Sequence, residues 1–290
     1  MSLDDRAIAR QFSRAADSYD EHAVLQREIG ERLLGRLDGI RFEPRTILDL
    51  GCGTGVHSKA LHQRFPGSKL IASDLSVAML RHTRRRRGWW KRRFEVIQAN
   101  AQSLPLAEDS LDLVYCNLML QWCEHPANVF ASLRRALRPG GLLLISTFGL
   151  DTLKELRQAW ARVDADPHVG QFTDVQRLGT ALTQAGFAEP VLDTDWLTTT
   201  YGRARDLLKE LKGLGATNAD QARSRGLMAP GRLRSALAAY EVFKMDDGRY
   251  PATWEVVYAS AWAPDHGQPM RDGQGETASV PVSSLKVLKR

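Results

Sequence analysis

The sequence predicts an α/β fold built on a mostly parallel sheet, and three observations predict it. From residue 46 onward, short apolar runs alternate with amphipathic segments, the pattern of strands joined by helices. Three glycines at alternate positions, Gly51, Gly53 and Gly55, separate the first apolar run from the first periodic segment. A strand, a tight turn and a helix N-terminus in that order form a concave backbone site. Finally, Asp49, Asp74, Asn100 and Asn117 stand at the ends of apolar runs, and open α/β sheets hold ligands at the carboxyl ends of their strands.

The N-terminal stretch, Leu3 to Leu37, has helical periodicity interrupted near Asp17 and Ser18. Residues 1–40 therefore read as a helical segment ahead of the sheet. Its Phe12, Arg14 and Tyr19 either clamp a ligand or pack as an ordinary helix, with Phe12 in the core in both cases. Strands are expected at 46–50, 69–73, 94–98, 111–116 and 141–147, with helices near 56–65, 76–87 and 127–138. Arg138-Pro139-Gly140-Gly141 reads as a helix end leading into the buried run Leu142 to Ile145.

Past Phe148 the pattern becomes more helical. Helices are expected at 151–164 and 173–186, a strand near 190–199, and further helices at 203–213 and 230–243. A last strand runs from Thr253 to Trp262. The expected domains are the N-terminal clamp, a core over 41–150, and a remainder over 151–262 that carries a helical insertion at about 203–250. Residues 263–290 are rich in Gly, Pro, Ser and polar side chains and read as a disordered tail.

At 290 residues and 43% hydrophobic, the chain can bury a sizeable core. No apolar run approaches membrane length, and the first 40 residues carry acids as well as bases, unlike a secretory signal or transit peptide. Cys52, Cys116 and Cys123 have neither disulfide nor zinc spacing, so a cytoplasmic location is expected and no metal. The net charge is +6, and the basic residues cluster. From Arg84 to Arg93, arginines and a lysine surround Trp89 and Trp90 without an acid. Such a run is compatible with a solvated face, an acidic protein partner, or stacking on nucleic acid.

The glycine turn alone is a weak signal. Asp74, about 20 residues beyond it at the tip of the second strand, strengthens it, because an acid there accepts from ribose hydroxyls. Asp49, closing the first strand, suits a ligand with an ammonium or sulfonium group better than a pyrophosphate. The pattern Asp49-Leu50-Gly51-Cys52-Gly53-Thr54-Gly55 resembles that of the class I S-adenosyl-L-methionine-dependent methyltransferases. The resemblance implies a Rossmann-like, seven-stranded sheet whose last strand is antiparallel, and an insertion before that strand acting as a lid over the acceptor. It further implies Asp49, Gly51, Gly53 and Gly55 at the methionyl part, Asp74 at the ribose, and Asn100 and Ala101 beside the adenine. Arg14, Leu75, Met79 and Asn117 complete the implied cofactor site. Relatives usually carry Asp where this chain has Asn100, whose amide oxygen can still accept from an adenine amino group.

More specific segments are Tyr19-Asp20-Glu21-His22-Ala23, Asn117-Leu118-Met119-Leu120-Gln121-Trp122, Val163 to His168, Leu211-Lys212-Gly213-Leu214-Gly215-Ala216-Thr217 and Gly248 to Thr253. Together they resemble the BioC family, the malonyl-[acyl-carrier protein] O-methyltransferases of biotin synthesis. The resemblance implies methyl transfer to the free carboxylate of a malonyl thioester, with an acyl carrier protein carrying malonyl-phosphopantetheine as partner. The ester masks a charge so that the product primes fatty acid elongation. A malonyl carboxylate is already ionised at neutral pH, so the chemistry needs placement and exclusion of water rather than a general base. Arg223 is the candidate for orienting that carboxylate, assisted by Tyr19 or Gln121, with Trp122 and His168 near the acceptor. The segment Phe148 to Leu153 and Pro251-Ala252-Thr253 also resembles a methyltransferase-like complex I assembly factor that hydroxylates a protein arginine. The same residues also allow a nucleic-acid methyltransferase that uses the basic run, or a non-catalytic protein that holds the cofactor as a structural ligand.

Overall fold

A computed structural model describes residues 4–87, 94–216, 230–265, 270–272 and 275–277. Five strands, β1 (Thr46–Leu50), β2 (Lys69–Asp74), β3 (Glu95–Gln98), β4 (Leu111–Asn117) and β5 (Leu137–Phe148), pair in parallel. Two long strands, β6 (Ala188–Tyr201) and β7 (Tyr250–Trp262), complete the sheet. The order is β3-β2-β1-β4-β5-β7-β6, with β7 antiparallel to both neighbours. The expected seven-stranded sheet with an antiparallel last strand is what the chain forms.

Alternation along the strands divides the core in two. In β1, Ile47 belongs to one cluster with Leu70, Leu113 and Tyr115, while Leu48 and Leu50 belong to another with Val114 and Cys116. The helices α3 (Val24–Gly35), α4 (Val56–Arg64) and α7 (Lys154–Ala161) cover the first face. Against the second lie α6 (Pro126–Ala136) and α8 (Val175–Gln184). Fully burying each aliphatic side chain contributes about 1.5–3 kcal/mol, so parity fixes the register strongly. Asp49 falls on the α3 and α4 face by the same parity.

Around the site lie α1 (Asp5–Ala15), the single turn α2 (Tyr19–His22) and α5 (Val77–Arg87). The interruption expected near Asp17 separates α1 from α2. Between β6 and β7 lie α9 (Ala204–Gly213) and α10 (Pro230–Tyr240), followed by a short 3-10 turn at Glu241–Phe243. Residues 217–229, including Arg223, fall outside the described residues, as do 88–93.

Several boundaries differ from expectation: α7 is three residues shorter at each end, α10 ends at Tyr240, and β7 begins at Tyr250 rather than Thr253. The helix expected to end at Arg138 stops at Ala136, and β5 begins at Leu137, which pairs with Leu111. Register shifts between Leu111 and Leu113, and Gly140 takes φ +73°, so the Pro-Gly-Gly stretch is an irregular strand start. Beyond Pro264, Met270–Asp272 and Gly275–Thr277 form an antiparallel pair, β8 and β9. Ala263, expected in the tail, is buried and exchanges backbone hydrogen bonds with Gly140 and Gly141, and residues 266–269, 273–274 and 278–290 lie outside the described residues. Among the described residues, no helix is long and apolar enough to cross a membrane.

Candidate active site

Two adjoining cavities open at the strand ends where the order reverses between β1 and β4. The larger has Gly51 and Gly53 on its floor, and Asp74, Leu75 and Met79 on one side. Asn100, Ala101 and Asn117 line it from the ends of β3 and β4, while Tyr19 and Trp122 close it. The smaller runs toward α3 and α4 and contains Asp49. It shares Tyr19, Gly51, Gly53 and Asn117 with its neighbour.

The glycine turn is built by steric need. Gly51, Gly53 and Gly55 have φ of +74°, +54° and +83°, a region that side chains other than glycine rarely enter. A Cβ on Gly53 would meet nothing within 4 Å, so the bare backbone leaves room beside it. Gly55 lines neither cavity. A Cβ there would lie 2.8 Å from Cγ2 of Thr83, so this glycine lets α5 pack on the turn. Thr83 Oγ1 in turn donates to the Gly53 carbonyl at 2.7 Å.

Asp74 is held by two backbone amides: Gly53 N donates to Oδ2 at 2.9 Å and Ser76 N to Oδ1 at 2.8 Å. The Leu75 amide also interacts with this carboxylate, and burial nevertheless pushes the carboxyl above its usual range. Asp49 is almost fully buried and accepts from Ser58 Oγ on α4. Burial pushes its pKa up to about 7, although the Ser58 bond opposes the shift. Gln26 lines the same compartment, and its Oε1 is buried without a hydrogen-bond partner among the described residues. This compartment thus offers the Asp49 carboxylate to a cation.

Tyr19 stands where the cavities meet. Burial, then the charges of Asp74 and Asp20, raise its phenol well above the ordinary value, so it remains a neutral donor. Asp20 fixes α2 above the turn: its carboxylate accepts from Thr54 Oγ1 at 2.7 Å and pairs with Arg86 of α5. Arg27 Nη1 donates to its carbonyl at 2.7 Å. Phe12 packs edge-on against Trp122 at 5.1 Å and tilted against Tyr19 at 6.5 Å, which places three aromatic rings along one wall.

Other residues singled out from the sequence lie elsewhere. Gln121 lines neither cavity; its Nε2 donates to the Leu118 carbonyl at 2.7 Å and its Oε1 accepts from Thr147. His168 stacks on Trp160 at 3.7 Å and bonds Asp164 at 2.7 Å, and Asp164 is also paired with Arg232. Arg14 lines a separate surface groove between α1 and α5. Of the basic run, Arg86 and Arg87 are engaged, the latter donating to the Phe94 carbonyl at 3.2 Å. Arg84 and Arg85 are exposed.

Sequence reasoning missed Asp5, Ile8, Leu118, Met119 and Cys123, all of which line the larger cavity. Asp5, Ile8 and Phe12 fall on one helical face at i, i+3 and i+7, a signal that was present. Leu118 has φ +50°, which no local pattern announces.

Known proteins share this outline. The methyltransferase domain family matches residues 48–145. A malonyl-[acyl-carrier protein] O-methyltransferase of Xylella fastidiosa (strain M23) is 47% identical over 290 residues, covering 99% of this chain and 98% of its own. One from Halorhodospira halophila is 45% identical over 277 residues, 95% of this chain and 93% of its own. Among solved structures, the YcgJ protein of Bacillus subtilis matches with a TM-score of 0.56 at 15% identity, over 81% of this chain and 98% of that one. A phosphoethanolamine N-methyltransferase of Haemonchus contortus, solved with S-adenosyl-L-methionine, matches with a TM-score of 0.55 at 15% identity. It is covered over 57% of its length and covers 87% of this chain.

Proposed function

The chain belongs to the malonyl-[acyl-carrier protein] O-methyltransferases, and from that premise we propose how its own residues serve the reaction. It is an S-adenosyl-L-methionine-dependent enzyme that esterifies the free carboxylate of a malonyl thioester. Its acceptor is carried on an acyl carrier protein by a phosphopantetheine arm, its product feeds biotin synthesis, and it works in the cytoplasm.

The observation that carries the reading is the pair of cavities joined at Tyr19 over bare glycine backbone. Their donor set fits the cofactor. Asp49 suits an ammonium group, Asp74 keeps an acceptor position for a ribose hydroxyl, and Gly53 leaves a cradle that a Cβ would fill. When bound, S-adenosyl-L-methionine supplies an electrophilic methyl group on a sulfonium. The protein's part is to orient and to dry the site. The aromatic wall of Phe12, Tyr19 and Trp122 excludes water, which disfavours separated charges and so favours their neutralisation. Tyr19, neutral and at the junction, donates to an acceptor oxygen without removing a proton.

Residues 203–250 serve as the lid over the acceptor, with Arg223 contacting one carboxylate oxygen. A single contact orients the nucleophile; tight pairing of both oxygens would stabilise it before attack. Gln121, Trp122 and His168 act on this side by shaping the lid and wall. Incubation with methyl-labelled S-adenosyl-L-methionine and malonyl-carrier protein should yield a base-labile methyl ester. Label appearing instead in nucleic acid, or hydroxylation of a protein arginine, would replace this reading with the activity observed.

A further inference from the structure

At the end of the larger cavity away from Asp49, the Asn100 side chain is already engaged. Its Oδ1 accepts from Gln102 N at 2.9 Å, capping the 3-10 turn Ala101–Ser103, and its Nδ2 donates to Asp5 Oδ2 at 2.7 Å. Asp5 lines this end with Ala99 and Ala101. Its other oxygen, Oδ1, takes part in no hydrogen bond among the described residues. Asp5 is not needed to cap α1 either, since Asp4 Oδ1 accepts from Ala7 N at 3.0 Å.

We propose that Asp5 accepts the hydrogen bond from the 6-amino group of the cofactor's purine, and that Asn100 positions Asp5 for it. The proposal rests on the reading of this cavity as the S-adenosyl-L-methionine site. A carboxylate with one oxygen anchored and one free is a directed acceptor. It favours a purine bearing an amino group at position 6 and disfavours one bearing a carbonyl there, because two acceptors would then face each other. The amide of Asn100 alone gives a weaker preference, with its oxygen turned to the backbone. Specificity for the adenosyl group therefore arises on the N-terminal helix, outside the methyltransferase-domain match at 48–145.

The test compares calorimetric binding of S-adenosylhomocysteine with that of S-inosylhomocysteine, which carries the carbonyl. The unaltered chain should prefer the adenosyl ligand by about tenfold or more, the range of a hydrogen bond to a charged group. In Asp5→Asn the amide oxygen must face the Asn100 nitrogen, leaving an N–H donor toward the purine. The preference should then vanish or reverse. Asp5→Ala should weaken binding of the adenosyl ligand but not of the inosyl one, so that the two bind with similar affinity. If both variants keep the original ratio, Asp5 is not the acceptor. Loss of all binding in both variants, with the fold intact by circular dichroism, also overturns the proposal, by making Asp5 a scaffold residue. Failure of the unaltered chain to bind either ligand overturns the cofactor reading itself, a result separable from the other two.

Discussion

Ligand binding beside Asp49 should depend on pH. The Asp49 carboxyl is held near 7 by burial, whereas an exposed aspartate titrates near 4. A cation in the same compartment favours the ionised form, so binding below pH 7 must expel a proton. Affinity for S-adenosylhomocysteine should therefore fall by up to about tenfold per pH unit as pH drops below 7. Calorimetry in buffers of different ionisation enthalpy would show the released proton, and Asp49→Asn should abolish both effects. The stability sign agrees: a raised folded-state pKa contributes stability at low pH that is lost as pH rises through about 7. The melting gap between the ligand-bound and ligand-free protein should widen from pH 6 to 8. Tyr19→Phe should lower turnover severalfold without moving the pH profile, because a neutral phenol is no base; a displaced limb in that profile would contradict it. At this level the sequence announced Asp49, Asp74 and the glycines, since strand ends and turns have local signatures. It did not announce that Gly55 serves packing rather than ligand contact, because Thr83 arrives from a separate helix.

Helix and turn junctions carry their own predictions. Gly55→Ala combines a left-handed backbone with a contact of 2.8 Å to Thr83. It should destabilise the protein by about 2 kcal/mol in a urea melt, with ligand affinity of the folded fraction nearly unchanged. On α5, the exposed Arg84 and Arg85 remain available to steer an acidic carrier, unlike Arg86 and Arg87. Charge reversal of Arg84 and Arg85 should slow association with malonyl-carrier protein most at low salt and leave a small malonyl thioester unaffected. An equal effect on both substrates would assign these arginines another role. Most strands and helices were legible from period and punctuation. The Arg138 boundary was not, because pairing of Leu137 with Leu111 overrides the local helix-ending signal of Pro-Gly-Gly.

Across the whole molecule, a mostly parallel sheet was legible because buried parallel strands carry continuous apolar runs joined by helical segments. How the N-terminal segment docks was not, since it depends on contacts such as Asp20 with Thr54 and Arg86, far apart in sequence. That docking makes α1 a wall of a cavity whose floor belongs to the sheet. Removal of residues 1–16 should spare the cooperative unfolding of the core. It should still reduce S-adenosylhomocysteine affinity by about a hundredfold, because Asp5, Ile8 and Phe12 leave the cavity together. The same arrangement bears on how the protein should be handled in the laboratory. A purification tag fused ahead of Met1 would begin only a few positions from Asp5, which lines the larger cavity. Cleavable tags, or fusion at the opposite terminus, are therefore the sound choice for any titration.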